Sequence, residues 1–234
     1  MIGKLIAQFF FISIFLSSGC IVYQPHQIPL PLFSQKNELQ LALGRSLITG
    51  TSGSVAFAPT KNIGVQAYGI KYSDGDYYYQ GALGLFWQNK KKLIFENYFG
   101  VGEGYGYGHE DYRGGFTEGD YKLYFTQFNI GQKNLPINRR YMDIGGGLKT
   151  GYFNTFLHSG INYTIRNNDE KQDRSLLIEP TFYAAVGGKF RVNATVSYCY
   201  LQRFTNEYRI IPFSQLNAGL GLQYTFKKKN KAAL

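Results

Sequence analysis

Leu216-Asn217-Ala218-Gly219-Leu220-Gly221-Leu222-Gln223-Tyr224-Thr225-Phe226 is the stretch that decides the fold. In an extended chain Leu216, Ala218, Leu220, Leu222, Tyr224 and Phe226 share one face. Asn217, Gly219, Gly221, Gln223 and Thr225 share the other. Such alternation marks a strand with one apolar face. The same pattern recurs upstream. Val192, Ala194, Val196, Tyr198 and Tyr200 oppose Asn193, Thr195 and Ser197. Leu176, Ile178, Phe182, Ala184 and Val186 oppose Glu179, Thr181 and Tyr183. Leu93, Phe95, Phe99 and Val101 oppose Glu96, Tyr98, Gly100, Gly102 and Gly104. Tyr79, Leu83, Leu85 and Trp87 oppose Gln80, Ala82 and Gly84, with Phe86 breaking the polar side.

Read this way, the chain contains ten strands, at 38–46, 51–58, 62–72, 77–88, 93–107, 119–131, 139–154, 175–187, 190–203 and 214–226. Residues 155–166 are open to reading as one more. Ten is favoured, with eight or twelve as alternatives, because bacterial up-and-down barrels close with an even number. Two architectures share the periodicity: a soluble sandwich or barrel, apolar inside, and a transmembrane barrel, apolar outside. The polar face is rich in Gly, Ser, Thr, Asn and Gln but poor in Lys, which suits a crowded lumen. Tyr77 to Tyr79, Tyr105, Tyr107, Tyr198, Tyr200 and Tyr224 fall near strand ends, as in interfacial aromatic girdles. The fold expected is therefore all-β, an up-and-down antiparallel transmembrane β-barrel.

Composition agrees. The chain has 234 residues, 17% aromatic and 17% charged, with 28 Gly. Ordinary domains are nearer 25% charged. Two Cys exclude a disulfide framework and a Cys-based zinc site; Cys199 reads as a small packed strand residue.

Lys4 followed by the apolar run Leu5 to Leu16 has the form of a signal peptide, residues 1–19. The run is too short to cross a bilayer as a helix. Leu16-Ser17-Ser18-Gly19-Cys20 resembles a lipoprotein processing site with Cys20 as the acylated residue, although Ser17 stands where an aliphatic residue is usual. Residues 20–37, with Pro25, Pro29 and Pro31, read as an extended linker. The barrel is expected over 38–226 and a basic periplasmic tail over 227–234.

Charge sorts by side. With the N-terminus in the periplasm, the outward connections 73–76, 108–120, 167–174 and 204–213 total −6. The inward turns 59–62, 88–92, 132–138 and 187–189, with the tail, total +10. The basic balance is thus a matter of sidedness, and no nucleic-acid partner is expected.

Several pieces carry a family resemblance: Cys20-x-x-Tyr23-x-Pro25, Pro29-Leu30, Glu38-Leu39-Gln40, Ala58-Pro59-x-x-Asn62-Ile63-Gly64, Tyr98-x-Gly100-x-Gly102-x-Gly104-Tyr105-Gly106, Gly119-Asp120-Tyr121, Gln127-x-Asn129-Ile130-Gly131 and Ile178-Glu179-Pro180. Together they resemble small outer-membrane β-barrel lipoproteins of Bacteroidota. The resemblance spans most of 20–226 and implies an outer-membrane location, without catalytic residues to carry over. The connection from Asn134 to Arg140 is longer than the pattern.

Candidate sites are few. Glu38, Glu96, Asp143 and Glu179 fall on lumen faces, with Lys149 opposite, and form an expected polar network that plugs the barrel. Glu110, Asp111, Glu118 and Asp120 make the outer connections acidic, as do Asp74, Asp76, Asp169, Glu170 and Asp173; they lack a calcium-loop spacing. Of the histidines, His26 lies in the linker and His158 near a strand end. His109, beside Glu110 and Asp111, is the one that could imitate a barrel hydrolase base. The Gly100, Gly102, Gly104, Gly106 series lacks the Lys-Ser/Thr of a phosphate loop and leaves lumen space for bulky neighbours. No cofactor or metal is expected. The expected partners are outer-membrane lipid and lipopolysaccharide, with the barrel-insertion and lipoprotein-processing machinery. The expected role is structural or surface interaction without catalysis. The alternatives are a small channel and a lipid-modifying or proteolytic barrel enzyme.

Overall fold

The structure is a computed structural model that describes residue 23 and residues 29–46, 50–72, 75–110, 115–161, 171–204 and 216–227. Its strands are β1 (Glu38–Ser46), β2 (Thr51–Phe57), β3 (Ile63–Lys71), β4 (Tyr77–Gln88), β5 (Leu93–Glu110), β6 (Gly115–Ile137), β7 (Arg140–Ile161), β8 (Lys171–Gly187), β9 (Phe190–Tyr198), β10 (Tyr200–Arg203) and β11 (Leu216–Lys227). From β1 to β9 consecutive strands pair antiparallel, β10 pairs with β8 and β11 with β9, and β1 pairs with β11, as in Leu41 with Tyr224. β9 and β10 are one stave interrupted at Cys199, since both continue a single register on β8. The result is a closed, ten-stave, up-and-down β-barrel.

The register fixes its size. From Leu41 one row of partners runs through Val55, Ala67, Gly81, Val101, Tyr124, Tyr152 and Leu176 to Gln202. In the other direction Leu41 reaches the same stave at Phe190, through Tyr224. Gln202 and Phe190 are twelve residues apart, which is the shear of the barrel. With a strand spacing of about 4.8 Å and a rise of about 3.3 Å per residue, ten staves then tilt by about 40° around a radius of about 10 Å.

The end where β1 begins and β11 finishes is called the base here, and the opposite end the rim. Short polar side chains close the base turns. Thr60 Oγ1 accepts the backbone N–H of Ile63 at 2.9 Å, and Asn89 Oδ1 accepts those of Lys91 and Leu93, both at 2.9 Å. Such side chains replace the ladder bonds that a turn gives up.

Several boundaries differ from the sequence expectation. The connection expected at 108–120 is mostly strand, because β5 and β6 stay paired out to Glu110 and Gly115. Residues 155–161 extend β7, paired with β6, and form no separate strand. The connection expected at 132–138 belongs largely to β6, which passes through a bulge between Gln132 and Leu135. Asn134 takes the extra residue of that bulge with φ 57°, a conformation Asn tolerates better than most residues.

The burial pattern is inside out. Leu83, Leu85, Phe99, Phe182, Val192, Leu220 and Leu222 face outward and are exposed, Phe182 to 71%. Glu38, Glu96, Asp143, Lys149 and Glu179 face the lumen and are 0% exposed. Every segment of unbroken alternation keeps its apolar set outside. Phe86, the exception on the polar side of β4, is buried in the lumen against Phe33.

Candidate functional site in the barrel lumen

The described residues of the Pro-rich segment expected to be a linker, 23 and 29–37, lie inside the barrel or at its base. At the base Asn37, with φ 60°, reverses the chain, and its N–H bonds the carbonyl of Ala58 at 2.7 Å. The Glu38 carboxylate accepts both the N–H of Ser34, at 3.1 Å, and its hydroxyl, at 3.0 Å. Beyond this reversal residues 29–34 run up the lumen. Proline lacks an N–H, so the segment cannot join the ladder as a regular strand. Backbone groups of Pro29, Pro31, Phe33 and Ser34 bind lumen side chains instead, as buried polar groups favour. The N–H of Phe33 donates to Glu96 Oε1 at 2.7 Å. The carbonyls of Pro31 and Pro29 accept from Gln40 Nε2 at 2.6 Å and Gln127 Nε2 at 2.9 Å.

Apolar anchors alternate with these bonds. Leu30, Leu32 and Phe33 are buried, and the wall beneath them is glycine. A Cβ on Gly64 would lie 2.8 Å from the Phe33 ring, and one on Gly131 would lie 2.6 Å from Leu32. Higher up, the Tyr23 ring packs edge-on against Phe153 at 4.8 Å and Tyr121 at 5.5 Å, and its hydroxyl donates to Glu179 at 3.3 Å. Glu96, which holds Phe33, and Gly104, the partner of Tyr121, are eight residues apart on β5. At a tilt of about 40° that is about 20 Å along the axis. The described part of the N-terminal segment therefore spans much of the lumen. Beside it, toward β1, β2 and β11, there is a space of about 60 Å³ lined by Gln40, Ser52, Tyr68, Asn193 and Gln223 among others.

The glycine series on β5 serves the same packing. A Cβ on Gly100, Gly102 or Gly104 would come within 2.4, 2.2 or 2.4 Å of Phe125, Tyr78 or Tyr121. These rings, with Tyr23 and Phe153, fill the rimward half of the lumen.

The five lumen residues named from the sequence fall into two levels. At the base Glu38 pairs with Lys133 at 2.5 Å, Asp143 pairs with Arg191, and Glu96 Oε2 accepts Asn129 Nδ2 at 2.8 Å. Nearer the middle Lys149 lies 3.8 Å from Glu179, bonds Gln80 Oε1 at 2.8 Å, and sits 5.0 Å from the centroid of Phe125. Lys149 thus joins Glu179 and not the other three carboxylates. Sequence reading missed Lys133, Arg191 and the Asp173 to Arg203 pair. One more step of the alternation places Arg191 with Asn193, and two steps place Lys133 with Asn129, so the signal was present. The bulge is part of this base network: the N–H of Asn134 donates to Asp143 Oδ1 at 2.8 Å, and Asn134 Oδ1 accepts from Arg191 at 2.7 Å.

The acidic residues expected in solvated outer connections are distributed differently. Glu118 and Asp120 are strand residues of β6; Glu118 accepts the Tyr105 hydroxyl at 2.8 Å, and Asp120 is exposed. Asp76 and Asp173 are buried, Asp76 accepting the N–H of Tyr107 at 3.0 Å. Glu110 and His109 end β5, with only their backbone described, and His158 lies on β7, half-buried. Cys20, His26, Asp74, Asp111, Asp169 and Glu170 lie outside the described residues. Cys199 is buried in the lumen as a free thiol. Among the described residues no three His, Cys, Asp or Glu converge as a metal site.

A closed barrel, apolar outside and with paired ions around a threaded chain inside, defines the architectural class. No family model, curated protein or solved structure matches the chain.

Proposed function

We propose that the chain is an integral outer-membrane β-barrel, closed by its own N-terminal segment, with a structural or surface-interaction role and neither conduction nor catalysis. The observation that carries this reading is the inverted burial. Every stave turns apolar side chains outward, while acidic and basic side chains are enclosed. In water this would expose a large continuous apolar surface at high cost, and in a bilayer it is the stable arrangement.

Two aromatic bands support the same reading. Tyr77, Tyr79, Tyr124, Tyr152, Tyr198 and Tyr200 are exposed toward the rim, and Trp87, Tyr141, Phe190 and Phe226 toward the base. Tyr77 and Trp87 are ten residues apart on β4, or about 25 Å along the axis, the height of an outer-membrane apolar band. The filled lumen favours a closed barrel over the small-channel alternative.

The reading takes residues 1–19 as a cleaved signal and Cys20 as acylated. Fractionated cells, washed with carbonate and run on cold SDS gels with and without boiling, test it. A membrane-retained band that shifts on boiling is expected, with palmitate label lost in Cys20→Ala. A protein that washes off and shows no shift would overturn the membrane assignment.

A further inference from the structure

We infer that the base of the barrel carries a binding site for an anionic glycerophospholipid, on the outer wall where the turn 138–139 meets the turn 188–189. This rests on the membrane reading above. The first support is charge segregation. Among the described residues, every exposed charged side chain at the base is basic: Lys36, Lys61 and Lys90 to Lys92 on one side, Arg139, Arg140 and Lys189 on the other. The base carboxylates Glu38, Glu96 and Asp143 are all buried, Glu38 and Asp143 paired with Lys133 and Arg191 and Glu96 held by Asn129 and the N–H of Phe33, so none reaches the outer wall. The cationic surplus therefore faces outward, uncompensated.

The second support is where three of these cations meet. Tyr141, Gly187, Arg191 and Gln223 are successive partners across β7, β8, β9 and β11. That register brings Arg139 and Arg140 on one turn beside Lys189 on the next. None of the three has a side-chain hydrogen bond or ion pair among the described residues. They crown two contiguous grooves that share Tyr141. One, of about 510 Å³, is lined by Lys189, Tyr224 and Phe226. The other, of about 410 Å³, runs from Arg139 and Arg140 down past Phe190 to Val186, Val192 and Leu222.

Along the wall the order is cation, aromatic ring, aliphatic side chain. That is the profile of one amphiphile: a phosphate at the guanidinium and ammonium groups, a glycerol backbone beside the rings, and an acyl chain on the valines and Leu222. Forked guanidinium donors suit phosphate oxygens, which a zwitterionic headgroup partly neutralises.

The test uses the full mature chain refolded in micelles, with folding established first by the cold-gel shift. Native mass spectrometry then compares retention of phosphatidylglycerol and phosphatidylcholine. At least a tenfold preference for phosphatidylglycerol is expected, falling to twofold or less in Arg139→Gln/Arg140→Gln/Lys189→Gln and weakening with salt. Lys90→Gln/Lys91→Gln/Lys92→Gln removes equal charge away from the grooves and keeps the preference. If the triple site variant does not fold, Lys189→Gln alone must still lower the preference at least twofold. A folded wild type without preference, or equal loss in both triples, overturns the site. A chain that shows no gel shift overturns the membrane reading itself, so the two failures are distinct.

Discussion

Phe33 and Gly64 provide the sharpest test that the N-terminal segment sits where the structure places it. The Phe33 ring is fully buried, 5.4 Å from the ring of Phe86, and the wall opposite it is Gly64. Phe33→Ala removes the ring and leaves the backbone bond to Glu96, so it costs about 3–5 kcal/mol, the usual range for emptying a buried aromatic site. Gly64→Leu puts a Cβ 2.8 and 2.9 Å from two Phe33 ring carbons and 2.9 Å from the Tyr98 hydroxyl. All three are side-chain atoms, so the wall is overpacked rather than broken, at about 1–3 kcal/mol. Combined, the leucine occupies the space the ring has left. The double variant should therefore be more stable than the sum of the single effects by about 1–3 kcal/mol. Urea titration of the refolded barrel, read by cold-gel mobility and by the fluorescence of Trp87, the one tryptophan, measures all four corners. Additivity within about 0.5 kcal/mol would mean the two positions do not touch, and the threaded segment would be refuted.

Lys149→Met should destabilise by about 3–5 kcal/mol, because it strands the Glu179 carboxylate inside the lumen, whereas Lys149→Met/Glu179→Gln should recover much of that loss; the same titration reads both. Tyr105→Phe removes a partly buried hydroxyl bonded to Glu118 at the rim and should cost no more than about 1 kcal/mol, leaving the gel shift unchanged. Deletion of residues 23–34 should convert a barrel that is silent in planar bilayers into one that conducts, provided the cold-gel shift shows it still closes; a silent, closed deletion variant would mean that side chains of the wall alone occlude the lumen.

The wall of this barrel is readable from sequence because its rule is local. The alternation over residues 216–226 needs only the pleat of one strand, and the structure keeps it, with Leu220, Leu222 and Phe226 outside and Asn217, Gln223 and Thr225 inside. Periodicity alone left the direction of the apolar face open, since it is identical for a soluble and a membrane barrel. The Lys-poor polar face and the strand-end tyrosines favoured the apolar face outward, and the closed ring does enclose Glu38, Glu96 and Glu179. Strand ends were less legible where turn residues sit inside paired structure. Gly115, Gly119, Asn134 and Pro136 read as punctuation, yet all are carried within β6: Gly115 and Gly119 have partners on both β5 and β7, Asn134 sits in the bulge, and Pro136 pairs with Tyr141 of β7.

The N-terminal segment was illegible for a different reason. Three prolines argue correctly against a ladder strand, and outside a barrel that means a linker. Inside a barrel the wall can supply the missing partners, and it does so through residues far apart in sequence: Gln40, Glu96 and Gln127 for the backbone, Gly64 and Gly131 for the anchors. The clue was Phe86, which breaks the polar side of β4. An aromatic ring facing a polar lumen needs apolar neighbours, and Tyr98 on β5 supplies only part of that cover. It also packs on Phe33, fifty-three residues earlier, so a break in the alternation marks where the chain packs on itself across the lumen. The ion pairs obey the same logic. Glu38 meets Lys133 across the ring, not across a shared ladder, and only closure of the barrel brings them together.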